Sequence, residues 1–247
     1  MRIHITVMAL AAAMVWAPDS FSAPQLTGLT VGRMKVTVMP EYDTQQALVI
    51  MEGKFMSRGF PAEVRFLVPQ EVTKLTDVCS LSPEGHHFCQ LFEIKQEGDS
   101  KVVDIKLPFS DFFIDFQYSP FKVAPGAERK FVHRVFPVYD TDILEIHIQT
   151  PLRISNFSVS PGWTEKYQKD GFEYFKYVYE GVKAGEAKNV EIAYTKGDIA
   201  PSVEKKFSAM ATPEIFAGHT GEILLALGVL GLVAVWYIRR KSGAARP

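Results

Sequence analysis

The stretch VCSLSPEGHHFCQ, from Val78 to Gln90, contains the chain's two cysteines, with two adjacent histidines just before the second. Three chemistries fit these residue types. Cys79 and Cys89 can close a disulfide. Cys79, His86, His87 and Cys89 are also donors of the kind that zinc or copper selects, and a pair of thiols can cycle in redox chemistry. Ser82, Pro83, Glu84 and Gly85 form a turn-rich middle, while Leu75 before the segment and Leu91, Phe92 and Ile94 after it are strand-like. The ends of the excursion therefore return close together. In an oxidising compartment two cysteines so placed should pair. Closing a loop of about 11 residues stabilises a fold by roughly 2.7 kcal/mol in the chain-entropy model. The metal alternative meets two objections: oxidised cysteines cannot ligate, and strand conformation would send His86 and His87 to opposite faces.

A second constellation is FEYFKYVYE, from Phe172 to Glu180. Alternation puts Phe172, Tyr174 and Val178 on one face and Phe175, Tyr177 and Tyr179 on the other, so neither face is polar. Packing between sheets is the ordinary reason for such a pattern. The alternative is an exposed aromatic surface that stacks on a sugar or a protein, built from Tyr174, Tyr177 and Tyr179 with Trp163 and Tyr167 from a neighbouring loop-like stretch. His133 and His147 fall inside strand-like segments and read as ordinary strand residues. His219 is given no role. Asn156-Phe157-Ser158 matches a glycosylation sequon, but Phe157 and Val159 give it a plain strand reading.

Signatures of common enzymes are absent from the sequence: there is no G-x-S-x-G, H-E-x-x-H, P-loop, C-x-x-C or C-x-x-C-H. No catalytic residue and no cofactor is expected.

The compartment follows from the ends. Arg2, the apolar run Ile5 to Trp16 and the breaker Pro18 make a secretory signal peptide, residues 1–22, with cleavage between Ser22 and Ala23. Near the other end, residues 221–238 form an apolar run of about 18 residues, just long enough to cross a bilayer as a helix. Trp236 and Tyr237 suit an interfacial belt, and Arg239, Arg240 and Lys241 follow at once. The positive-inside rule then places the tail, 239–247, in the cytoplasm and the body outside, a single-pass type I protein held in the lipid bilayer. The sequence has 27 Lys and Arg and 28 Asp and Glu; removing Arg2, the four tail cations and Asp19 leaves 22 against 27, a charge near −5 for the body together with Glu222 at the edge of the span. That balance argues against nucleic acid as a partner.

Period-two alternation fills the body. Examples are Met34, Val36 and Val38; Val64, Phe66 and Val68; Val103, Ile105 and Leu107; Phe112, Ile114, Phe116 and Tyr118; Leu144, Ile146 and Ile148; and Val190, Ile192 and Tyr194. About ten strands predict an all-β, antiparallel β-sandwich ectodomain. The Pro- and Gly-bearing stretch Tyr118 to Glu128 is the best internal boundary, giving sandwich units at 23–122 and 123–198, followed by a stalk at 199–220. A single continuous two-sheet domain is the alternative.

The runs TPLRISNFSVSPG and DGFEYFKYVYEGVKAGEAKNVEIAYTKGD, within Asp140 to Gly197, resemble a recurring ectodomain of uncharacterised bacterial envelope proteins held by one C-terminal span. The resemblance implies a fold and carries no chemistry. The expected function is a non-enzymatic, membrane-anchored binding or accessory protein with an envelope or membrane protein as partner. Metal handling or redox work at the cysteine and histidine loop is the rival, and carbohydrate binding through the tyrosines is a third reading.

Overall fold

The computed structural model describes residues 28–204 except 58, 73 and 99. The expected signal peptide, the span with Trp236 and Tyr237, the tail with Arg239, Arg240 and Lys241, His219 and the stalk beyond residue 204 lie outside the described residues. Among those described, no helix is long and apolar enough to cross a membrane.

The described chain is all β. Its fourteen strands are β1 (Thr30–Pro40), β2 (Ala47–Phe55), β3 (Ala62–Pro69), β4 (Lys74–Leu81), β5 (His87–Cys89), β6 (Glu93–Glu97), β7 (Ser100–Leu107), β8 (Asp111–Tyr118), β9 (Glu128–Val135), β10 (Asp140–Gln149), β11 (Ile154–Ser160), β12 (Glu165–Lys169), β13 (Phe172–Val182) and β14 (Lys188–Lys196). Alternation in the sequence becomes alternation in burial, as in β8, where Phe112, Ile114, Phe116 and Tyr118 are buried and Asp111, Phe113, Asp115 and Gln117 are half-exposed. Four more strands exist than the roughly ten expected. The additions include short edge pieces such as β5 and β12, whose few residues leave little alternation to read.

Eight strands form one sheet in the order β12-β13-β10-β1-β2-β8-β4-β5, and two three-stranded sheets have the orders β11-β14-β9 and β3-β7-β6. All pairings are antiparallel except that of β1 with β10, inside the large sheet, which runs parallel from Thr30↔Asp140 to Val38↔Ile148. The stretch Tyr118 to Glu128 is the connection from β8 to β9. Strands from both sides of it share the large sheet through this parallel pair, and one hydrophobic cluster holds Val36 and Phe116 together with Ile146 and Ile192.

Both small sheets lie against the same face of the large one. The register Phe116↔Val49, Val49↔Val38, Val38↔Ile148 and Ile148↔Phe175 carries one parity across five strands. On that face Phe112 packs on Phe66 of β3, ring centroids 4.8 Å apart, and Phe175 stacks on Phe157 of β11 at 5.2 Å. Tyr118 meets His133 of β9, the hydroxyl 2.7 Å from Nδ1. Where β3 and β9 face each other the covering layer parts in a 380 Å3 cleft bounded by Leu67, Val68, Phe131 and Val132.

One end of the fold is held by buried charge. Glu41, just past β1 in the left-handed region at φ 45°, accepts a hydrogen bond from the Tyr194 hydroxyl at 2.9 Å and lies 3.5 Å from Arg129 Nε. The Arg129 guanidinium donates to the carbonyls of Ala124, Ala127, Lys196 and Asp198. Such a pair is tolerated in the interior only when further hydrogen bonds offset its desolvation. These contacts also dock the departing chain: Ser202 N donates to Glu41 O at 2.7 Å, Val203 N to Tyr42 O at 2.8 Å, and Arg153 reaches Asp198, Ala200 and Pro201.

Candidate binding face and the disulfide ribbon

The second face of the eight-stranded sheet carries neither of the two small sheets. Strand parity decides what it displays. From β1 come Arg33, Lys35 and Thr37, from β10 Glu145, His147 and Gln149, and from β13 Tyr174 and Lys176; the β1 residues and Lys176 are partly or fully exposed, whereas Glu145, His147, Gln149 and Tyr174 are buried among their neighbours on this face.

These side chains are locked together. Lys35 and Glu52 pair at 2.5 Å, and Glu145 lies 3.3 Å from Lys176 and 3.8 Å from Arg33. The Tyr167 hydroxyl is 2.7 Å from His147 Nδ1, and His147 Nε2 is 3.5 Å from Glu145 Oε2. Gln149 donates to the Tyr174 hydroxyl at 2.8 Å. The rings of Tyr167 and Tyr174 stack at 5.0 Å with planes 6° apart, an arrangement worth about 0.5–1.5 kcal/mol beyond its buried area. Burial pushes the His147 imidazole below its ordinary value, against the pull of Glu145, so the ring stays neutral at pH 7. Burial acts to raise the Glu145 carboxyl, but Lys176, Arg33 and His147 outweigh it and hold the group below the usual carboxylate range. The Tyr167 hydroxyl is pushed up to about 12, chiefly by burial, and acts as a hydrogen-bonding group and not a base at neutral pH.

The aromatic residues expected to form one surface are thus divided. Tyr167 and Tyr174 belong to this open face, with Tyr174 itself only 8% exposed. Tyr177 is 2% exposed on the core side, its hydroxyl donating to Pro161 O. Tyr179 lies on the core-side parity under Lys188 Nζ, 4.9 Å from its ring centroid. Trp163 is the most exposed of the five at 47%, edge-on to Phe175. Tyr167 sits in a strand and not in the loop expected for it. The overlooked signal is Asp170-Gly171, both at positive φ (53° and 80°), which closes β12 onto β13 with Lys169 opposite Phe172. Asp-Gly between strand residues is the strongest short hairpin signal, because both central positions of its turn need φ above zero.

At the far edge of the same sheet, β4 and β5 form a ribbon closed by the Cys79–Cys89 disulfide, with S–S 2.00 Å. The two cysteines are directly opposite in the register, and Leu81 faces His87. Cys79 is fully buried; Cys89, His86 and His87 are exposed. The His87 ring meets Phe113 edge-on at 5.2 Å, while the His86 backbone N–H donates to Ser82 Oγ at 3.2 Å in the turn. With both sulfurs bonded to each other, the set Cys79, His86, His87 and Cys89 has only its imidazoles free to ligate. Asp77 is the ribbon residue that sequence reasoning missed: its carboxylate and the two sulfurs lie within 4.8 Å of one another.

No protein-family model matches the chain, and no curated protein does. Among solved structures, a putative protease from Parabacteroides distasonis aligns at 10% identity and a TM-score of 0.41, over 68% of this chain and 40% of its own. An M1 zinc metallopeptidase from Deinococcus radiodurans aligns at 9% identity and 0.39, over 71% and 44%. The chain spans about two fifths of the length of these proteins, and likeness at this level carries no argument about activity.

Proposed function

We propose that this protein is a non-enzymatic binding or accessory protein, anchored in a membrane by residues 221–238, that presents the open face of its eight-stranded sheet to another envelope or membrane protein. One observation carries the reading: two three-stranded sheets cover one face of the large sheet, while the other holds paired charges and stacked tyrosines in fixed positions. A face whose rotamers are already locked loses little further entropy on binding. The secretory signal and the apolar run read from the sequence support placing this body outside the cytoplasm, as a β-sandwich ectodomain.

The test is crosslinking in native membranes followed by pull-down on this chain. Arg33→Glu and Lys54→Glu reverse exposed cations of the face, with side chains 64% and 61% accessible, and are expected to leave the fold intact. Together they should lower recovery of the crosslinked partner about tenfold, the scale of one interface residue worth more than 1 kcal/mol. The double variant His86→Ala/His87→Ala should leave recovery unchanged. Equal recovery from the charge-reversed protein, or no partner at all, sinks the reading, and loss of recovery on changing the histidines moves the function to the disulfide ribbon.

A further inference from the structure

The ribbon of β4 and β5 assembles more chemistry than a staple needs. In β8 the buried parity is Phe112, Ile114 and Phe116, so Phe113 and Asp115 belong to the open face. Cys79 is opposite Phe113 and Asp77 opposite Asp115, which puts Asp77 and Cys79 on that face as well. Across the ribbon Cys89 is opposite Cys79 and His87 opposite Leu81, so His87 and Cys89 share it too. The pattern is Asp-x-Cys on one strand against His-x-Cys on its neighbour, four donors on one surface. His86, one residue off this parity and tied to Ser82, is not among them.

We propose that this surface is a redox-gated site for a zinc-class divalent cation, which forms when a dithiol reductant opens the Cys79–Cys89 bond and which takes Cys79, Cys89 and Asp77 as ligands with His87 as the fourth. Cys89 is the exposed cysteine and Cys79 is buried, so a reductant thiolate attacks the Cys89 sulfur and Cys79 leaves as a thiolate. The reductant's second thiol then displaces Cys89. The reductant ends as a disulfide and the protein as two thiols, a transfer of two electrons. Metal binding releases the thiol protons, and two thiolates with one carboxylate against a divalent ion leave a net charge of −1, with the imidazole neutral.

The distances suit this. Zinc–sulfur bonds of about 2.3 Å in a tetrahedron put two sulfurs roughly 3.8 Å apart. Once the bond is opened, side-chain rotation can bring the sulfurs to that spacing while β8 holds β4 in register. The Asp77 carboxylate already lies within 4.8 Å of both. His87 must leave Phe113, from which its exposed position allows it to turn. Zinc suits a mixed set of thiolate, imidazole and carboxylate donors. This site does not rest on the binding face above, and either can fail alone.

The experiment uses the full-length protein in detergent, reduced by a phosphine that does not itself compete for metal, and titrated with cadmium as the probe. Thiolate-to-cadmium charge-transfer absorption should rise to one equivalent in the reduced protein and be absent in the oxidised one. Asp77→Asn and His87→Gln should each weaken cadmium about tenfold or more, the scale set by losing one group that shapes a metal site, while His86→Gln matches the parent. Both positions are exposed, and oxidised forms of each variant should melt as the parent does, which separates lost ligation from lost folding. No charge-transfer band in the reduced protein overturns the proposal. So does full affinity in Asp77→Asn, or a His86→Gln loss as large as that of His87→Gln.

Discussion

A single buried ring shows how residue chemistry becomes a property of the fold. His133 is enclosed between β9 and the large sheet, and burial pushes its imidazole down to about 4. The unfolded chain protonates it near pH 6.5. Above that pH the ring is neutral in both states, and its effect on stability is nil. As pH falls from 6.5 toward 4 the unfolded chain takes up a proton that the folded protein refuses, so stability drops through this window and levels off below it. By pH 4.5 the loss is about 2.5 kcal/mol relative to pH 7.5. His147, also shifted down by burial, adds in the same sense. His133→Gln keeps a partner for the Tyr118 hydroxyl while removing the titration. Its urea midpoint should therefore fall less between pH 7.5 and 4.5 than that of the parent, by an amount worth about 2 kcal/mol. Parallel losses in the two proteins would show that His133 is not the group responsible.

At the scale of elements, close approach of strands fixes at least one residue type. A Cβ placed on Gly53 in β2 would meet Phe112 Cζ at 2.5 Å and the Arg33 carbonyl oxygen at 2.6 Å. Phe112 is fully buried and Arg33 O belongs to the neighbouring strand, so neither yields cheaply. Gly53→Ala should cost about 2 kcal/mol in equilibrium unfolding, while Gly162→Ala, with nothing within 4 Å, stays within about 0.5 kcal/mol of the parent. Equal stability of the two variants would mean that β1 and β2 part more easily than their register implies.

Elements also show what the sequence could reveal. Faces were legible: the parity of Val36, Phe116, Ile146 and Ile192 follows from alternation, because a strand's period of two belongs to the residue order alone. The disulfide was legible from spacing and turn chemistry. Neighbours were not. Alternation says that Met34 to Met39 is half-buried and is silent on whether its partner comes from nearby or from β10. The open face was hidden for the same reason. Tyr174 and Tyr177 look equivalent in FEYFKYVYE, and only the position of the small sheets separates them. Asp77, two residues before Cys79, shares its face by alternation, an overlooked local signal; what the residue order leaves open is the register that sets Cys89 directly opposite Cys79.

Among the described residues one pair of strands, β1 with β10, runs parallel, and it joins the two halves of the large sheet. Thr30 pairs with Asp140, 110 residues later, and the small hairpins of β6 with β7 and β12 with β13 close over only a few residues. Loop closure must be paid before a distant contact returns anything, so the centre of the sheet is the slow part of folding. In refolding followed by pulsed hydrogen exchange, amides of the two hairpins should gain protection before those of β1 and β10. Protection of β1 and β10 in the earliest phase would refute this order. For a chain delivered N-terminus first, β1 is among the first strands to emerge and must wait for β10 to find its second neighbour. Until residue 149 has followed, one whole row of its amides and carbonyls has no partner, and the newborn protein carries its most adhesive edge where its middle will be.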